Sequence, residues 1–443
     1  MSASNPSPTV ERDIGERIHQ MARRLWPMPR SISGRGLRES LSIIGEMLPG
    51  LRLIEVPSGS EVLDWVVPDE WEIAAGWLEG PDGRRIVDFA NSNLHVVGYS
   101  CAVDRTIGLD ELQAHLHSIP DQPDAVPYVT SYYERRWGFC MSHRQRQSLV
   151  PGTYRARIDA RHFPGSITLA ELLIPGRTDD EVLLSTYCCH PSMANNELSG
   201  PCVTAHLALW ISQLAGRRCS YRILFVPEMI GSIAYLHRHS AQMRARVVAG
   251  FNVTCVGDER AWSLLPSRRG NTLADQVARH VLRHRAGSFR EHGWSERGSD
   301  ESNYCAPGID LPVASVMRSK YGTYPEYHTS GDDLEHVVTP RGLGDSFRAY
   351  QAMIEAIERH CRPRTRVLGE PQLGRRGLYP SLSTKGSSAR VRPMLDLMSL
   401  ADGTHTLLDI ADRCGTPVWE LYEPMDTLAA HGLITIDPAV EPE

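Results

Sequence analysis

The feature that most constrains this chain is an alternation of short apolar runs with longer amphipathic ones between about residues 178 and 360. EVLLSTYCC, YRILFVP, RVVAGFNVTCVG and LPVASVM read as buried strands. GPCVTAHLALWISQLAG, SIAYLHRHSAQMRA, TLADQVARHVLRHRA and RGLGDSFRAYQAMIEAIERH space their apolar residues by three and four, as helices do. Parallel strands need crossover connections, and a helix after each strand supplies them. The expected fold is therefore α/β, a mainly parallel sheet covered by helices.

An open sheet of this kind forms its site outside the carboxyl ends of its strands. His190 follows the first strand and Glu228 the second. Asp258 follows the third. Arg318 follows the fourth, and the loop KYGTYPEYHTSGDD after it carries His328. Two histidines and two carboxylates offer nitrogen and oxygen donors suited to Zn²⁺ with an open coordination position. Each residue also has a plainer reading: a hydrogen-bonded core histidine, a capping acid before GSIAYL, a turn aspartate. Asn196 and Glu197 precede the helix of 200–215, where either can cap it or reach a metal. Tyr321, Tyr324 and Tyr327 could donate to a developing oxyanion, or simply pack.

The rest of the chain has other textures. Two helical patterns fill residues 11 to 50 around WPMPRSISG, and a β-rich stretch dense in tryptophan and tyrosine runs from 51 to 175. A linker rich in Pro, Gly, Ser and Arg occupies 363–388. The tail reads as three helices and a short β run, the order of a winged helix. With 443 residues the chain has room for two or three domains. A net charge of −6 with mixed signs does not call for nucleic acid or an anionic membrane as partner. The polar N-terminus, the lack of a spanning apolar segment and ten cysteines without framework spacing predict a cytoplasmic protein with reduced thiols. Cys188 and Cys189 are expected to be buried filler.

HPSMANNELSG, PEMIGS and YHTSGDD, in that order, resemble an altered form of the zinc aminopeptidase pattern, and GSDESNYCAPGIDLP resembles a further stretch of that clan. RSISGRGLRESL, VLDWVVPDEWEI, NLHVVGYS, YYERRWGFC and EPQLGRRGLYPSLS look like a bacterial family that carries this domain, an inserted β-rich domain and a C-terminal winged helix. The resemblance covers nearly the whole chain. It implies a phosphorylase/hydrolase-like aminopeptidase sandwich with helices on both faces of the sheet. The implied parts are a discontinuous catalytic domain (11–55 and 176–362), an inserted β-rich domain (56–175), the linker, and a winged-helix domain (389–443).

The resemblance also implies a zinc site, from which this chain departs. Asn196 stands where the clan has its bridging Asp, Pro227-Glu228 where it has Glu-Glu, and Asn252-Val253-Thr254 where it has Asn-x-Asp. The expectation is a single zinc held by His190, Glu197 and His328, with Glu228 as general base. If Asn196 takes the bridging place, Glu228 becomes a ligand instead. Tyr321 or Arg318 would stabilise the oxyanion, and Asp300, Glu301 and Tyr324 would bind substrate. The expected activity is hydrolysis of an amide or peptide bond. A zinc amidase or deacylase acting on a sugar or specialised metabolite, and a non-catalytic binding protein with a degenerate site, are the alternatives. The third tail helix presents Glu420, Glu423 and Asp426 and no Lys or Arg, so the winged helix is expected to bind protein, including a second copy of the chain, rather than DNA.

Overall fold

A computed structural model describes residues 8–378 and 387–439. The middle of the expected linker and the last residues of the tail lie outside them. The chain divides into two units, Met1–Ala274 with Arg290–Arg348, and Asp275–Phe289 with Ala349–Glu443. Among the described residues no helix is long and apolar enough to cross a membrane. None of the ten cysteines is in a disulfide.

The first unit is built on an eight-stranded sheet. Its order is Arg52–Pro57, Ser166–Ile174, Ser220–Val226, Glu181–Tyr187, Val247–Asn252, Val313–Met317, Ser263–Leu265 and Arg290–Glu291. The four central strands are parallel. Every residue of Glu181–Tyr187 and of Val313–Met317 is buried, as strands covered on both faces must be. Glu181–Tyr187 feeds a connection to Ser220–Val226 on one side, and Val247–Asn252 feeds one to Val313–Met317 on the other. The crevice between their carboxyl ends is thus the topological switch point, the favoured place for a ligand.

The strand Ser166–Ile174 lies in this large sheet, antiparallel to Arg52–Pro57 and to Ser220–Val226. The β-rich insert before it has its own antiparallel sheet: Arg85–Asp88, Glu70–Glu79, Thr153–Phe163 and Val103–Gly108. It also has its own core, including Leu78, Phe139, Tyr154 and Ile158. A small hairpin pairs Glu61–Val62 with Trp65–Val66.

In the second unit, Cys361–Thr365 pairs antiparallel with Ile434–Pro438. Helices Ser387–Leu400, Leu407–Cys414 and Tyr422–Ala430 lie between them in sequence. The Thr406 hydroxyl accepts the Asp409 N–H in a capping box, and Gly415 at φ 64° closes the same helix. Leu421, Met425 and Leu428 are buried, whereas Glu420, Glu423 and Asp426 are exposed.

Candidate metal-dependent active site

The strand Glu181–Tyr187 ends in Cys188 and Cys189, both buried, and then His190. The next residues, Ala194–Leu198, form a π-helical turn that runs directly into the helix Ser199–Gln213. Three residues that the sequence analysis overlooked hold this turn in place. Asp332 accepts the N–H groups of Asn195 (2.7 Å) and Asn196 (2.9 Å), orphan donors at a helix start. The Tyr187 hydroxyl donates to the Asn196 carbonyl at 2.6 Å. Arg30, from the WPMPRSISG turn, donates to the His190 carbonyl at 3.0 Å and has its Nε 3.7 Å from Glu197 Oε1, both side chains fully buried.

His190 stands between two carboxylates. Its Nδ1 lies 2.9 Å from Glu197 Oε2, and its Nε2 lies 3.5 Å from Glu228 Oε2. The His328 ring centroid is 5.6 Å from that of His190, and Tyr128 of the insert lies 5.0 Å from one ring and 5.2 Å from the other. The Tyr128 N–H donates to the His328 carbonyl, and Ser330 and Val126 exchange further bonds. The insert thereby fixes the loop that presents His328 in a left-handed conformation, φ 57°.

Charge in this dry place is costly unless matched. Burial lowers the His190 pKa, but the Glu197 hydrogen bond and the nearby carboxylates more than offset it, so the ring holds its proton more tightly than usual. Burial, with His190 beside it, pushes His328 down to about 3. Burial raises the Glu228 carboxyl, although His190 and the Ser299 hydroxyl, which donates to Oε1 at 2.6 Å, oppose it. Burial and the Glu228 charge push Asp300 up to about 8. Burial pushes Asp332 up to about 6.

The remaining expected site residues are engaged within the fold. Asp258 accepts from the Asn195 amide, from Ser319 twice and from the Arg260 N–H. Glu301 accepts from Gly298, Ser299, Asn252 and the Tyr321 hydroxyl, which takes up the proton Tyr321 would offer an oxyanion. Tyr324 donates to Asp332 at 2.9 Å. The Arg318 guanidinium lies over the Trp262 ring at 4.2 Å. Asp300 Oδ1 accepts from the Met229 N–H and the Ser232 hydroxyl, while Oδ2 is buried without a hydrogen-bond partner. The same is true of Glu197 Oε1 and Asn196 Nδ2. Cys189, His190 and Glu197 offer ligand atoms within 4.8 Å of one another.

Two family models match the chain. One, described as a domain of unknown function (DUF4910), covers residues 19–360, and one described as a winged helix-turn-helix covers 361–436. The chain is 38% identical over 423 residues to a Clostridium acetobutylicum protein, named as a candidate polysaccharide biosynthesis protein with aminopeptidase-like domain (94% of this chain, 95% of that protein). A crystal structure of a candidate peptidase from Clostridium acetobutylicum superposes with a TM-score of 0.91 at 36% identity, over 97% of this chain and 98% of that one. The zinc aminopeptidase of Bacillus subtilis shares the fold at a TM-score of 0.57 and 14% identity, over 77% of this chain and 94% of its own. An M28 peptidase precursor from Shewanella amazonensis shares it at 0.54 and 12%, over 82% and 99%. The chain therefore belongs to the family of the DUF4910 domain, an aminopeptidase-like α/β fold followed in this chain by a winged helix.

Proposed function

We propose that this protein is a zinc-dependent hydrolase of amide or peptide bonds, aminopeptidase-like, with a single metal. The observation that carries the reading is the convergence of His190, His328, Glu197 and Glu228 at the switch point of the sheet, with one buried Glu197 oxygen left without a hydrogen-bond donor. Those donor types suit zinc, with Glu197 against His190 Nδ1 and Glu228 against Nε2 on the other edge of the ring. Two imidazoles and a carboxylate are the ligands of a three-ligand zinc site with one position open. His190, Glu197 and His328 would hold the ion, and Glu197 Oε1, which accepts no hydrogen bond, would be free to bind it beside Arg30. When bound, Zn²⁺ lowers the pKa of a bound water towards neutrality and polarises the substrate carbonyl.

The chain's own residues supply the rest. Glu228 Oε2 takes a proton from the attacking water and passes it to the leaving amine, while Ser299 holds Oε1. A raised carboxyl suits this exchange, because proton transfer is most effective when the catalytic pKa nears the working pH. Arg30 and Asp332 brace the turn that carries Glu197, and Tyr128 braces the His328 loop.

The test is elemental analysis of the purified protein together with a panel of aminoacyl anilides and N-acylated amines. One zinc per chain, lost in His190→Ala and His328→Ala, is expected. A metal content that neither substitution changes would overturn the reading. The name of the Clostridium relative favours a second reading, an amide carried on a sugar, and the acylated amines in the panel detect it. The exposed Glu420, Glu423 and Asp426 support a winged helix that binds protein, either another protein or a second copy of the chain, and fluorescence anisotropy of labelled duplex DNA with the full chain at physiological salt should show no binding. Ten cysteines without a disulfide favour a cytoplasmic location.

A further inference from the structure

A cavity of about 200 Å³ opens beside His190 and Glu228. Part of its wall comes from outside the α/β sheet. Ile32 comes from the N-terminal turn, Trp65 from the small hairpin, and Tyr132 and Tyr133 from the insert loop. Met229 and Ile230 complete it. The hairpin is tied down where the Leu63 N–H donates to His237 Nδ1 at 3.2 Å. Trp65 and Tyr133 meet edge to face at 5.9 Å, and both are large aromatic rings left 37% and 58% exposed.

Most polar atoms of the lining already have partners. The Tyr132 hydroxyl bonds to that of Tyr128 at 2.8 Å, and Cys189 Sγ accepts the Glu228 N–H at 3.3 Å. Apart from the Tyr133 hydroxyl and the Trp65 indole N–H at the exposed side, a ligand reaching inward meets polar side-chain groups at His190 and Glu228, the reacting end. A sugar ring filling this space would leave its inward-facing hydroxyls with few partners, at a cost of about 1–3 kcal/mol for each one buried unpaired. An apolar ring would lose nothing, and a cavity of about 150 Å³ is known to hold a benzene-sized group.

We propose that this cavity is the subsite that selects the group beside the scissile amide, that it takes an aromatic or branched aliphatic side chain, and that Trp65 and Tyr133 determine that choice. The cavity's role as a substrate subsite rests on the hydrolase reading above, but its preference for apolar groups can be measured without turnover. Isothermal titration calorimetry of the full-length protein with L-phenylalaninamide, L-leucinamide, L-alaninamide and N-acetylglucosamine is the experiment. Phenylalaninamide and leucinamide should bind at least about tenfold more tightly than alaninamide. Trp65→Ala and Tyr133→Ala should each shrink that ratio severalfold, with circular dichroism and metal content unchanged, and Trp65→Phe should restore it. If Trp65→Ala does not fold, the more exposed Tyr133→Ala carries the test. A ratio near one, a ratio indifferent to the substitutions, tighter binding of N-acetylglucosamine, or no binding of any probe would each overturn the proposal. Apolar selectivity with no hydrolysis of any anilide would remove the hydrolase reading and leave the selective cavity standing.

Discussion

The first unit contains two buried clusters of charge, and they lie towards opposite ends of the same parallel strands. At one end Arg222 grips Glu181 with two bonds, Nε to Oε2 at 2.7 Å and Nη2 to Oε1 at 2.9 Å. It also reaches Glu171 at 3.2 Å and the Tyr235 hydroxyl, which in turn donates to Glu171. None of these side chains leaves a buried polar atom without a partner. At the other end, around His190, Glu197 Oε1, Asp300 Oδ2 and Asn196 Nδ2 all lack a hydrogen-bond partner, although Glu197 Oε1 has Arg30 Nε at 3.7 Å. Both clusters incur a cost for desolvation. The first offsets it with bonds to every buried polar atom, and the second leaves several such atoms without a hydrogen bond, which is the pattern the proposed metal site calls for.

Substitutions should separate the two. The largest effect is expected at Glu228. Glu228→Gln should lower kcat by about a hundred- to ten-thousand-fold while leaving zinc content and Tm unchanged, because a proton acceptor is lost and a shape is not. Loss of zinc in this variant would make Glu228 a ligand instead. Arg222→Met should act in the opposite sense. It strands Glu181 and Glu171 and should cost about 3–5 kcal/mol in urea unfolding, with activity per folded molecule retained. A neutral result there would dissolve the contrast between the clusters.

Glu197→Gln should weaken zinc binding by at least the roughly ten- to a hundredfold that loss of an outer-shell partner costs, read by competition with a chelator. The pH dependence gives the next effect. Glu228 must be ionised to accept a proton, and its pKa is raised in the folded protein. Activity should therefore fall as pH drops, at a higher pH than for an ordinary glutamate, and the acid limb of kcat/KM reports it. The smallest effect concerns Asp300. Its folded pKa, about 8, lies above the ordinary 3.8, so the folded state binds more protons than the unfolded one between those values. Its contribution to stability is full below about pH 4 and is lost as pH rises towards 8. Asp300→Asn, which keeps an acceptor for Met229 and Ser232, should flatten that alkaline decline in a series of Tm measurements.

The parallel core was legible from residues 178 to 360 because burial on both faces writes itself into continuous apolar runs, and helices follow at fixed spacing. The sheet's edges were not. Ser166–Ile174 reads as another short β run of the insert, yet its partners are Arg52–Pro57 and Ser220–Val226, and pairing across such separations leaves no local mark. Cys361–Thr365, with a proline and two arginines, does not read as a strand at all. It forms one because Ile434–Pro438 lies beside it. Asn196 reads as a cap or a ligand before the helix of 200–215, and with Asn195 it forms a helical turn because Asp332, far along the chain, takes their N–H groups.

What the sequence determined by itself was the order of the central parallel strands and their helices, with His190, Glu228 and Arg318 close behind three of them; the third strand ends at Asn252, well before Asp258. Periodicity and local spacing carry that information. The tertiary structure alone decided which of those residues meet. It sent Asp258 to brace Asn195 and Ser319, drew Arg30 to Glu197, and set the insert's tyrosines and Trp65 around His190. Those contacts depend on the direction in which each side chain leaves its strand end and on segments far apart in the chain, and neither is encoded in any stretch that can be read locally.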